Sequence, residues 1–173
     1  MKKMICSFIF GIIFFATLAH AQINEIQEKL LSSKTLECEF PTGMGAEWGK
    51  ESLKIEPDSM GKFIITNIDI NNKVAKMIGK AGTSELRVRT SLIGLSFTST
   101  DDVVFQITFI TVFPVNVGQR KIEGLKVDDL KALQIPTAFV AVLSTHTLVP
   151  MSIHPLNMQP SPSQVYGYCI KKE

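Results

Sequence analysis

Ser84-Glu85-Leu86-Arg87-Val88-Arg89-Thr90 is followed by Leu92-Ile93-Gly94-Leu95-Ser96-Phe97-Thr98. In the first segment Leu86 and Val88 alternate with Glu85, Arg87 and Arg89. In the second, Ile93, Leu95 and Phe97 alternate with Gly94, Ser96 and Thr98. A period of two puts successive side chains on opposite faces of a strand, so each segment has one face to bury and one to leave in water. Two such strands with almost nothing between them read as an antiparallel hairpin.

The same period extends outward on both sides. Upstream, Leu36, Cys38 and Phe40 alternate with Thr35, Glu37 and Glu39, and Pro41 to Gly45 reads as a turn. A weaker strand, Ser52 to Glu56, is stopped by Pro57-Asp58. Phe63 to Ile70 is a strong strand, and Asn71-Asn72 offers a two-residue hairpin loop before Lys73 to Ile78, because Asn tolerates positive φ. Gly79 to Gly82 makes the next turn. Downstream of Asp101-Asp102, Val103 to Phe113 reads as the longest strand, with Val103, Phe105, Ile107, Phe109 and Phe113 on its core face. Its other face is also partly apolar, which places it centrally. A polar excursion follows, Asn116 to Pro136, with one helical turn over Asp128 to Leu133. Ala138 to Leu148 and Gln164 to Ile170 are strands. Pro150 to Pro162 holds four of the eight prolines and reads as unable to pair. The one helical pattern is Ile23 to Leu31, with Asn24 as its cap.

About nine short strands with almost no helix predict an all-β antiparallel domain. Hairpin-linked neighbours form a meander. If its first and last strands meet, the meander closes into a soluble β-barrel, lipocalin-like or calycin-like in outline, and closure removes exposed edges. A β-sandwich is the alternative. An outer-membrane barrel would be apolar on its whole outer face, whereas Glu37, Glu39, Lys73, Lys76, Arg87 and Arg89 occupy the polar phase here.

The N-terminus reads as a secretory signal peptide. Lys2 and Lys3 precede an apolar stretch from Ile5 to Leu18, and Ala19-His20-Ala21 is a small-x-small cleavage site. The apolar run, of about fourteen residues, is too short to span a bilayer. Residues 1–21 are therefore read as a bacterial Sec-type signal cleaved after Ala21, residues 22–33 as a short helix and lead-in, and residues 34–173 as one barrel domain. Export leads to the periplasm or outside the cell. Cleavage removes two of the 18 basic residues and none of the 16 acidic ones, so the mature chain is formally neutral. Neutrality argues against a nucleic-acid partner. It leaves two cysteines, Cys38 and Cys169, in an oxidising compartment, where an even pair reads as a disulfide. Without Cys-x-x-Cys spacing, a redox pair is the poorer reading.

Motifs of chemistry are missing from the sequence. There is no Gly-x-Ser-x-Gly, no His-Glu-x-x-His and no phosphate-cradling glycine loop. Adjacent acids such as Asp101-Asp102 and Asp128-Asp129 suit backbone capping, and His146 sits among hydroxyls. No catalytic residue, cofactor or metal is assigned. Met151, His154 and Met158 could offer soft ligands to Cu(I), but they read better as part of a proline-stiffened lid over a barrel mouth. Trp48, the one tryptophan, lies in a Gly-rich stretch and either plugs a barrel end or anchors a partner.

Leu36-Glu37-Cys38-Glu39-Phe40 with Trp48, and Pro162-Ser163-Gln164-Val165-Tyr166-Gly167-Tyr168-Cys169, resemble small exported bacterial proteins without an assigned activity. The resemblance covers most of the mature chain, supports pairing of the cysteines and implies no chemistry. The function expected is a non-enzymatic binding protein that takes a small apolar ligand or a protein partner, without a membrane span after cleavage. The alternative is an inhibitor or interaction module that uses the loops around Trp48 and Asn116 to Pro136. An enzyme is the third reading. An empty apolar lumen favours the ligand, and a filled one favours the protein partner.

Overall fold

The computed structural model describes residues 25–48, 52–80, 82–101, 106–116, 138–150 and 158–172. The signal segment, Asn24, Val103, Phe105, residues 117–137 and the Met151–His154 segment lie outside these residues. Among the described residues one helix, α1, residues 25–31, leads into eight strands: β1 Thr35–Trp48, β2 Leu53–Asp69, β3 Val74–Gly79, β4 Gly82–Ser91, β5 Gly94–Asp101, β6 Gln106–Asn116, β7 Ala138–Pro150 and β8 Met158–Lys172. Each pairs antiparallel with its neighbour in sequence, and β8 returns to pair with β1, giving a closed barrel. The meander is the one expected, with eight strands rather than nine.

The seam is the key element. Cys38 stands opposite Cys169 in the β1–β8 register, the two are bonded, and their Cα atoms are 4.0 Å apart. That close approach marks a non-hydrogen-bonded pair. Counting outward from it, even-numbered residues of β8 turn their backbone N–H toward β1 and odd-numbered ones toward β7.

This parity corrects the reading of Pro150 to Pro162 as unable to pair. Met158 to Pro162 continue β8 in unbroken register with β7. Pro160 and Pro162 are even-numbered, so their missing N–H groups fall on the β1 side and leave the β7 ladder whole. On the β1 side the ladder stops at Gly45 opposite Ser163, one residue before Pro162 would have to donate. The Ser161 hydroxyl donates instead to the Ala46 carbonyl, 3.3 Å away. Pro57 is the same case. The sequence splits Ser52–Glu56 from Phe63–Ile70, but β2 is one strand of 17 residues. At Pro57 it has β1 on one side and no β3 partner on the other, since pairing with β3 begins at Ile64. Likewise, Pro41 to Gly45 is no turn. β1 passes through a register shift after Glu39 and runs on to Trp48. The shift drives β1 against Gly167, where a Cβ would lie 1.9 Å from the Glu39 carbonyl oxygen, so only glycine fits.

The hairpin expected at Asn71-Asn72 is a four-residue turn, residues 70–73, and the positive φ falls on Lys73 and Asn67 instead. Asp69 closes the turn by accepting from the Asn72 backbone N–H at 2.9 Å and from its side-chain amide at 2.7 Å.

Leu36, Cys38, Phe40, Phe63, Ile65, Leu86, Val88, Leu95, Phe97, Ile110, Val112, Phe139, Leu143, Val165 and Cys169 fill the lumen, all at most 5% exposed. Phe40 and Phe63 stack with ring centroids 5.5 Å apart. α1 closes the end where β1 begins. Its Leu30 is fully buried in the same cluster, with Ile26 and Leu31 packed against it. The helix stops where the Ser32 and Ser33 hydroxyls bond the Lys29 carbonyl.

β6 gives the clearest correction. The face assigned to the core, with Ile107 and Phe109, points outward, leaving them 40% and 45% exposed, while Thr108, Ile110 and Val112 line the lumen. Both faces of β6 are apolar, but a closed barrel has no central strand with two covered faces. The second apolar face is therefore wall.

Candidate functional site

An eight-stranded barrel is just wide enough for its own inward side chains to fill it. Four phenylalanines (Phe40, Phe63, Phe97 and Phe139) and a buried disulfide do so here. Binding surfaces must therefore be sought on the outside, where register decides which residues meet.

Three outward rows can be traced across the strands. The first runs Ile55, Ala46, Pro162, His146, Ile107, with Ala46 and Pro162 meeting just past the end of the β1–β8 ladder. The second runs Pro57, Met44, Gln164, Ser144, Phe109, Thr98. The third runs Thr42, Tyr166, Val142, Thr111, Ser96. None of the three contains Lys, Arg, Asp or Glu over these lengths. Ile55 is 62% exposed, Met44 49% and Tyr166 46%. Phe109 meets His146 edge-on at 6.2 Å. The result is an uncharged, partly apolar wall spanning β2, β1, β8, β7 and β6. Single exposed apolar residues are ordinary, whereas a contiguous set without charge is the mark of an interaction surface.

One row nearer the helix, charge returns. Tyr168 donates to Glu39 at 2.6 Å, and Lys62 pairs with the same carboxylate at 3.2 Å, tying three strands together. Charge also returns around the barrel. Thr98 at the end of the second row is followed by Arg87 and then Val74. There, against β3, β4 and β5, lies a cleft of about 1250 Å³ lined by Lys73, Lys76, Arg87 and Arg89, with Glu85 as its one carboxylate. Thr98, Ser99 and Thr100 line it too, together with apolar Val74, Leu86 and Val88.

Cys38 and Cys169 are brought together as expected. Trp48 is the last residue of β1, opposite Leu53, rather than part of a loop. Met158 begins β8 opposite Pro150, at the same barrel end as Trp48. Met151 and His154 fall outside the described residues. Among the described residues no group of three or more His, Cys, Asp or Glu could hold a metal ion, and no helix is long and apolar enough to cross a membrane. Sequence reasoning missed both the wall and the cleft. The available signal for the wall was the doubly apolar β6. For the cleft it was the cations at Lys73, Lys76, Arg87 and Arg89, whose convergence depends on how β3 meets β4.

Compared with known proteins, the chain matches no family model, no curated protein and no solved structure.

Proposed function

We propose that this chain is an exported, non-enzymatic binding protein, released by cleavage after Ala21, that docks a protein partner on its uncharged wall. The observation that carries this is the pairing of a filled lumen with the continuous charge-free face around Met44, Tyr166 and Phe109. A small apolar ligand needs an empty cavity of some 300 Å³ or more, and the phenylalanines occupy the space where it would sit. The centre of a protein interface is depleted of charge and enriched in aromatic residues and Met, which is the composition of this wall. The disulfide suits an oxidising compartment. The charged β3–β4 side argues against a barrel ringed by lipid, which needs an apolar outer band all round.

The test is a photoreactive amino acid at Phe109 or Tyr166 in the exported protein in its own cells, with Leu92, 93% exposed at a distant turn, as the control site. One discrete adduct from the wall sites, absent from Leu92 and abolished by Met44→Glu, is the expected result. No adduct from either wall site, or the same adducts from Leu92, overturns the reading. Stoichiometric uptake of a fluorescent fatty acid would restore the apolar ligand in its place.

A further inference from the structure

We propose that the cleft on the β3–β4 side is a second binding site, for a ligand bearing two or more phosphate or sulfate groups. It is separate from the uncharged wall and does not depend on that reading.

The mature chain carries equal numbers of acids and bases, so an even spread would set an acid beside each cation. The cleft departs from that: Lys73, Lys76, Arg87 and Arg89 converge on it with one carboxylate, Glu85. Elsewhere on the surface three cations are matched, Lys29 with Glu25, Lys62 with Glu39 and Lys172 with Glu37, while Lys34, Lys54, Lys80 and Lys171 are spread singly over other parts of the barrel. None of the cleft cations makes an ion pair among the described residues, not even Lys76 with Glu85, its partner in the β3–β4 register.

Geometry then selects the ligand. Arg87 and Arg89 leave the same face of β4 two residues apart, which sets their Cα atoms about 7 Å apart. Each guanidinium presents a planar fork that can grip an oxyanion through two N–H groups. Lys73 reaches the cleft from the neighbouring turn. Its backbone carbonyl accepts the Val88 N–H at 2.9 Å, pinning the turn between the two arginines in sequence. One anionic group would meet Arg87, a second would meet Arg89 and Lys73, and the hydroxyl of Thr98, opposite Arg87 in the β4–β5 register, would donate to a remaining oxygen. Glu85 lies on the far side of Arg87 from Arg89 and repels an anion there, which sets the ligand's position along the strand. A single small anion would use only part of this array, so the site favours polyanions.

Such groups can come from a soluble molecule or from a lipid headgroup, and two probes separate these sources. In titration calorimetry at low salt, inorganic tripolyphosphate is expected to bind with one-to-one stoichiometry and to weaken as salt rises. Arg87→Gln and Arg89→Gln should each weaken it about tenfold, the loss of one charged fork. Glu85→Gln should tighten it, and Lys62→Gln, on another wall, should leave it unchanged. Co-sedimentation with phosphatidylglycerol vesicles, against phosphatidylcholine vesicles, tests the headgroup with the same variants. Binding of either probe with this variant pattern supports the site and names its source. Binding of neither, or binding equally reduced by Lys62→Gln, overturns it. Unchanged urea midpoints of the variants show that they remain folded.

Discussion

Replacing both members of the seam disulfide is the sharpest test of the barrel. In Cys38→Ala/Cys169→Ala the β1–β8 ladder keeps its hydrogen bonds, because these join backbone groups and the substitutions remove only the side-chain sulfurs. The change therefore acts chiefly on the unfolded chain. The bond closes a loop of 131 residues. The chain-entropy relation gives about 17 cal/mol/K for such a loop, or about 5 kcal/mol at 25 °C. Residual structure in the denatured state lowers the figure, and the small void left by two buried sulfurs raises it, so the expected loss is about 2–5 kcal/mol. With a urea dependence of about 2 kcal/mol per molar, the midpoint should fall by about 1–2.5 M. Circular dichroism through a urea series reads it, with the slope fitted freely because an uncrosslinked chain exposes more surface. A loss below about 1 kcal/mol would refute the reasoning from loop closure. Two reactive thiols in the denatured, unreduced protein would refute the bond itself.

Phe97→Ala, which empties part of the lumen, should cost about 3–5 kcal/mol, whereas Phe109→Ala on the outer wall should cost about 1 kcal/mol or less; equal losses by urea unfolding would mean that the faces of β6 are reversed. Gly167→Ala forces a methyl group onto the Glu39 carbonyl and should cost more than about 3 kcal/mol or abolish folding; a stable variant would show that the strands do not press together there. Asp69 is held below the usual aspartate range by the Asn72 backbone N–H and then by the Asn72 side-chain amide. Its folded value lies under its unfolded one, so its contribution to stability is present above the unfolded value and is lost as pH falls through the folded one. Carboxyl NMR should show Asp69 titrating at lower pH than an ordinary aspartate, and an unshifted midpoint would deny the turn.

Strands whose alternation is clean were legible from the residues alone. Leu86 and Val88 against Arg87 and Arg89 leave one way to fold, and the structure follows it. The pairing of Cys38 with Cys169 was also legible, because a chain cleaved after Ala21, as the sequence reading expects, offers one combination. The proline-containing segments were not, since whether Pro57 or Pro162 breaks a ladder depends on which way its nitrogen faces, and that is fixed only by register with strands far away in sequence. Phe109 failed for a related reason. Apolar residues on both faces of a strand mean burial between layers in an open sheet, but an apolar outside in a barrel. The wall itself joins Met44, Ile55, Ile107, Phe109 and Tyr166, which no local pattern connects.

The position of the seam bond also dictates an order of events. Cys38 belongs to the first strand made and Cys169 to the last. The first thiol must therefore stay reduced, or be held in a transient partnership, until nearly the whole chain has been made. Both sulfurs then end inside the finished lumen, fully shielded from solvent. The oxidant that joins them must act while the barrel is still open, and a reductant arriving later must wait for it to open again. The bond is a latch fastened from within: it records that closure has been completed, and its resistance to reduction becomes a clock for how often the closed protein breathes.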